Sequence, residues 1–108
     1  MNADNIKSQM RKGYLEYCIL LILRKKPAYT SDIISELKEA KLIVVEGTLY
    51  PLLTRLKNGE LLDYRWEEST QGPPRKYYEM TALGAAFLAE LEEAWKEINN
   101  VVKKIKEE

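Results

Sequence analysis

Apolar residues recur at helical spacing through most of the chain and alternate at strand spacing in one short region. From about Ser8 to Lys25, Met10, Tyr14, Tyr17 and Leu21 share one side, and Leu15, Cys18, Ile19 and Ile22 form a neighbouring stripe. The stripes merge near Ile19–Leu23, which predicts a central, buried helix. Arg24, Lys25 and Lys26 suit its C-terminal end, and Pro27 ends it. Residues 1–8 are polar and are expected to stay loose until something packs on them. Thr30 or Ser31 can cap a second helix with Ile33, Ile34 and Leu37 inside. Leu42–Val45 reads either as a short strand or as an apolar link.

Leu49, Leu52, Leu53 and Leu56 then make one apolar stripe of a third helix. Its other face carries Gly47, Tyr50, Pro51, Thr54 and Asn58, with Arg55 and Lys57 on the flanks. Pro51 requires this helix to begin near Gly47 or Thr48, since a first-turn proline forfeits no internal hydrogen bond. Gly59 is placed to stop it as a C-terminal glycine does. In Leu61–Glu67, Leu62, Tyr64 and Trp66 alternate with Asp63 and Arg65, the mark of a half-buried strand. Glu68–Pro74 is turn chemistry, and Arg75–Met80 returns as a second strand, giving a two-stranded hairpin.

Thr81 caps a last helix that runs from about Ala82 to the end. Phe87, Leu91, Ala94, Ile98, Val101 and Ile105 follow heptad spacing in it, and Leu88, Trp95 and Val102 run alongside at steps of seven. A body this small cannot cover such a stripe, so a partner chain is the natural outlet; folding back on its own domain is the alternative. The predicted fold is mainly α with a small β-hairpin: a winged helix-turn-helix over residues 1–80, plus a long C-terminal dimerisation helix over residues 81–108.

Composition narrows the function. The chain contains no histidine and a single cysteine, Cys18, set in an apolar run. Triads that need histidine and the usual zinc sites are therefore excluded. No glycine-rich phosphate loop follows a strand, so no enzyme, cofactor or metal is expected. The longest apolar run, Cys18–Leu23, is too short to span a membrane, and no secretory pattern opens the chain. A cytoplasmic location follows as the default. The net charge is zero, but residues 1–78 hold 13 Lys/Arg against 10 Asp/Glu and residues 79–108 hold 4 against 7. The basic excess thus lies with the third helix, where DNA binding would need it.

Four motifs in this order carry a resemblance: Gly47–Leu56, Gly59–Leu62, Gly72–Tyr78 and Leu83-Gly84 after Thr81. Together they make the chain resemble the PadR family of bacterial transcriptional regulators, in its compact form with a single C-terminal helix. The resemblance implies a homodimeric repressor that binds an inverted-repeat operator in double-stranded DNA. It puts the third helix in the major groove, with Thr48, Tyr50, Pro51, Thr54 and Arg55 on its working face or edge, and the wing residues Gly72, Arg75 and Lys76 on the adjacent backbone. Where the family often has Gly-Arg-Pro at the wing turn, this chain has Gly72-Pro73-Pro74, so one wing cation is missing.

Several roles stay open at this point. Arg55 and Lys57 can grip phosphates or form internal ion pairs. Tyr50 can donate to a phosphate or pack on a neighbouring element, and Thr54 can meet a thymine methyl or a phosphate. Arg75 and Lys76 alternate along a strand and so face opposite ways, with Lys76 on the side of Tyr78. The dimer seam is expected from Phe87, Leu88, Leu91, Ala94, Trp95, Ile98, Val101, Val102 and Ile105. The resemblance further implies a small aromatic effector, held by Leu15, Cys18, Ile19, Phe87, Leu91 and Trp95; plain packing of Trp95 is the alternative. The rival function is a winged-helix protein-interaction module without DNA binding.

Overall fold

The computed structural model describes residues 1–107. Helix α1 spans Ala3–Lys25, strand β1 Ala28–Tyr29, helix α2 Thr30–Glu39, helix α3 Glu46–Asn58, strand β2 Leu62–Ser69, strand β3 Gly72–Met80 and helix α4 Ala82–Lys106. The last position of the expected C-terminal helix, Glu108, lies outside the described residues. The strands form one antiparallel sheet in the order β1-β3-β2. The expected two-stranded hairpin is thus corrected to three strands: Ala28 and Tyr29 pair with Tyr78 and Tyr77 on the edge of β3. Two residues after a proline carry no period, so this strand exists only through its partner. Leu42–Val45 forms a link with no regular structure.

Helix α1 starts well before the expected Ser8, and residues 3–8 are helical rather than loose. Asn2 caps it, its side chain accepting from the N–H of Asp4, and Asp4 lies at the positive end of the helix dipole. Helix α2 begins at Thr30, with the Asp32 carboxylate accepting from the Tyr29 N–H.

One core joins the elements. Ile19, Leu20, Ile33, Leu49 and Leu53 are fully buried, with Leu62 and Tyr78 of the sheet and Leu88 of α4 against them. The leucine stripe of α3 packs as its spacing predicts, with Leu49, Leu53 and Leu56 buried and Leu52 half-buried. Leu88 is only 3% exposed inside its own chain, which removes it from the expected dimer seam. The first half of α4 packs on α1 and covers that position before a partner can reach it.

Two expectations for α3 are corrected. It begins at Glu46, so Pro51 is well past the first turn and the Gly47 carbonyl forgoes its helical donor. Gly47 is exposed, so solvent is available to that carbonyl. Gly59 caps the helix with φ −80, and Glu60 is the residue in left-handed backbone, with φ 65. The Glu60 N–H donates to Lys57 and the Leu61 N–H to Leu56, which is a Schellman ending. Helix α2 ends in the same way, with Lys41 at φ 72 and Leu42 donating to Leu37. A side chain costs about 1 kcal/mol or more in this conformation. Lys41→Gly and Glu60→Gly should therefore each stabilise the fold by about 0.5–1 kcal/mol. Denaturant unfolding checks this, and an unchanged midpoint would mean that the side chain makes an offsetting contact.

Leu61 also fastens α4 to the end of α3. Its N–H closes α3, while its carbonyl accepts the Thr81 N–H at 3.1 Å. The Thr81 hydroxyl donates to the Glu60 carbonyl at 2.6 Å and accepts the Gly84 N–H at 3.0 Å. Beyond this joint α4 runs along α1, tied by Arg24–Glu92 at 2.8 Å and by Tyr17 packed on Trp95 at a centroid distance of 6.1 Å. From Glu93 onward every described residue of the helix is exposed. The radius of gyration is 15.8 Å, against about 13 Å for a compact chain of this length. The excess reflects the two projecting helices, the second half of α4 and the first third of α1. No helix among the described residues is long and apolar enough to cross a membrane.

Candidate nucleic-acid interface

Helix α3 turns its leucines inward, so the rest of its surface is set by the 100° step between residues. Gly47, Pro51, Thr54 and Asn58 fall on the outward face, and all are exposed. Thr48, Leu52 and Arg55 form the flank towards α1, lining a cleft with Arg11 and Lys12. Glu46 and Tyr50 form the flank towards the wing, lining a cleft of about 450 Å³ with Trp66, Arg75 and Lys76. Lys57 continues that second flank, its ammonium 5.8 Å from the Tyr64 ring.

The register of the sheet settles the direction of each wing cation. Lys76 pairs with Trp66 and Arg75 with Glu67, so the two point to opposite faces. Lys76 shares its face with the buried Tyr78, as the sequence predicts, and its ammonium lies 4.5 Å from the Tyr64 ring and 5.5 Å from Trp66. Arg75 stacks on Tyr29 at 4.6 Å. Such contacts fix a cation over a ring without neutralising it. Tyr29 is itself held, because its hydroxyl donates to Glu67 at 2.9 Å and Arg65 donates to the same carboxylate at 3.0 Å. The bond from Tyr29, then that from Arg65, keeps the Glu67 carboxyl below its ordinary range; the same bond and then desolvation raise the Tyr29 phenol. Beyond Tyr29 the edge of β3 is open and carries Pro73 and Pro74, residues that keep an edge from pairing with another strand. Gly72 lies exposed at the tip.

Arg55 sits 3.5 Å from Glu16, yet its side chain is 74% exposed. The ion pair and the open position therefore coexist. The six residues that the sequence grouped as an effector pocket are not alike. Ile19 is fully buried and Leu15 nearly so, which makes them core rather than walls. Cys18 is half-buried and burial pushes its thiol up, as for a packing residue. Leu91 is half-buried against the chain's own core, while Phe87 and Trp95 remain partly open.

This frame is shared with known proteins. Residues 19–90 match the model of the transcriptional regulator PadR-like family. The chain belongs to that family. It is similar to the structure of a PadR-like transcription factor from Bacteroides fragilis, with 71% identity, 94% of this chain and 98% of that one covered, and a TM-score of 0.82. A PadR family regulator from Eggerthella lenta is 30% identical over 95% of this chain and 90% of that one, also with a TM-score of 0.82. A PadR-like regulator from Bacillus cereus is 35% identical over 90% of this chain and 95% of that one, with a TM-score of 0.78. The protein is accordingly a PadR-family transcriptional regulator and not an enzyme.

In this PadR-family chain two features of the site escape a reading of the sequence. Trp66 alternates as if half-buried but is 61% exposed, because β2 and β3 extend past the body that would cover its ring. The cations Arg11 and Lys12 look like ordinary solvated charge on a polar stretch. Only the angle at which α1 passes α3 brings them beside Thr48 and Arg55.

Proposed function

We propose that this regulator works as a homodimeric repressor, each subunit laying α3 in the major groove of an inverted-repeat operator. The observation that carries the reading is the outward face of α3: exposed, free of carboxylates, and level with the wing edge that holds Arg75 and Lys76. Such a face has no packing role to explain it. Thr48, Tyr50, Pro51 and Thr54 approach the bases or the nearest phosphates, while Arg55, Lys57, Arg75 and Lys76 position the helix on the backbone. Two α3 helices then stand about 34 Å apart, or a multiple of that.

The partner copy covers the exposed stripe of Phe87, Ala94, Trp95, Ile98, Val101, Val102 and Ile105. A planar aromatic effector would stack on Trp95, whose ring already borders Tyr17, and would act by favouring a dimer geometry that fits the operator poorly. The regulator works on the cell's DNA, in the cytoplasm.

Fluorescence anisotropy with a duplex from the promoter of its own gene tests this reading. Binding should be selective over random DNA and should weaken steeply with salt. Absence of such binding there, followed by failure of a genome-wide selection, would leave the protein-interaction role instead. Thr54→Asp, an exposed change on α3, should cost about tenfold in affinity by setting a carboxylate against phosphates while leaving the fold intact. Unaltered binding would put the groove on another face.

A further inference from the structure

The outward face of α3 lies between two basic banks, and the proposed function uses the wing bank and the α3 residues Thr48 and Arg55 but not the cations of α1. On one side is the wing. On the other, the N-terminal half of α1 runs past α3 and encloses a cleft of about 430 Å³ with it, whose polar lining is Ser8, Arg11, Lys12, Glu16, Thr48 and Arg55. We propose that this cleft holds a backbone phosphate of the DNA strand on the far side of the groove from the wing, with Arg11 and Lys12 as its principal ligands and the Thr48 hydroxyl as a further donor. The inference rests on α3 lying in the major groove.

Three observations support it. The cleft sets three cations against one carboxylate, and Glu16 is already engaged by Arg55 at 3.5 Å. Among the described residues neither Arg11 nor Lys12 has an ion-pair partner. The faces of α1 are also divided. Ser8, Arg11 and Lys12 turn towards α3, while Ile6, Met10 and Tyr17 lie about half a turn away, so a partner that covers the apolar side leaves the basic side open.

The geometry of the duplex calls for such a contact. A helix in the major groove, about 12 Å wide, has a sugar-phosphate ridge on each side of it. The wing can serve only one ridge. The strand opposite needs a cation from the other flank of α3, and the arm of α1 is the element that stands there.

The test is the salt dependence of binding to a labelled duplex from the protein's own promoter, using the full chain. In Arg11→Gln/Lys12→Gln the slope of log affinity against log salt should flatten by about one for each subunit bound, since each phosphate contact contributes about 0.9. Affinity at low salt should fall about tenfold on operator and random DNA alike, because phosphate contacts carry no sequence information. The control Lys26→Gln/Lys103→Gln removes the same charge from exposed positions outside the cleft and should keep the wild-type slope. A wild-type slope in the first variant, or an equal flattening in the control, overturns the phosphate site while leaving the groove reading in place. Wild-type protein with no salt-dependent binding removes both.

Discussion

Gly84→Ala should destabilise the fold by about 3 kcal/mol, the upper end of what one methyl group forced into a packed interior costs. A Cβ at this position would stand 2.1 Å from the Leu61 carbonyl oxygen and 2.7 Å from Met80 Cγ. A side chain such as Met80 can give way, but the Leu61 backbone cannot. Its N–H closes α3 and its carbonyl accepts from Thr81, so moving it breaks the ending of one helix and the start of another. The remaining option is a displacement of α4 away from the sheet, which opens the core at Leu88. For a domain of this size each kcal/mol shifts the melting temperature by about 4–8 °C, so a loss of about 12–24 °C is expected in thermal denaturation. A variant that melts within about 2 °C of the parent would show that α4 does not meet Leu61 so closely.

Ile98→Asp should convert the proposed dimer to monomers. Ile98 is 55% exposed in the single chain, and nothing in its own body explains an isoleucine there. At the centre of a two-chain seam an aspartate is a buried charge without a partner, which costs several kcal/mol for each copy. Leu91→Asp suits this test less well, because Leu91 also packs on the chain's own core and its loss would mix folding with association. Sedimentation velocity should show a monomer, and circular dichroism should show the helices retained. Affinity for an inverted repeat should then fall about a hundredfold or more, since a second half-site no longer benefits from the first. A persisting dimer would place the interface elsewhere.

The sequence shows the parts of this molecule that repeat a period. The leucines of α3 and the alternation that sets Lys76 with Tyr78 behave in the structure as their spacing predicts. What it conceals depends on approach between distant segments. Strand β1 needs Tyr77 and Tyr78 as partners before it exists. Leu88 belongs to the heptad pattern, yet the core of its own chain claims it. The glycine at position 84 stands out by type but gives its reason only when Leu61 is seen above it. In the candidate site the residues of α3 and the wing are legible because turn and strand chemistry flank them. Arg11 and Lys12 are not, since nothing in a string of polar residues tells which of them faces another helix.

The joint at Leu61 has a mechanical consequence. No pliant tether separates α3 from α4; Leu61 ends the first and anchors the second. In a dimer built through α4, the distance between the two reading helices is then a dimension of the solid body, like the gap of a fixed wrench. A one-base-pair change between half-sites moves the second site about 3.4 Å along the duplex and turns it by about a tenth of a revolution. A body hinged so stiffly has little means of following it. Operator spacing would therefore be enforced by the protein's own shape, apart from any base it touches.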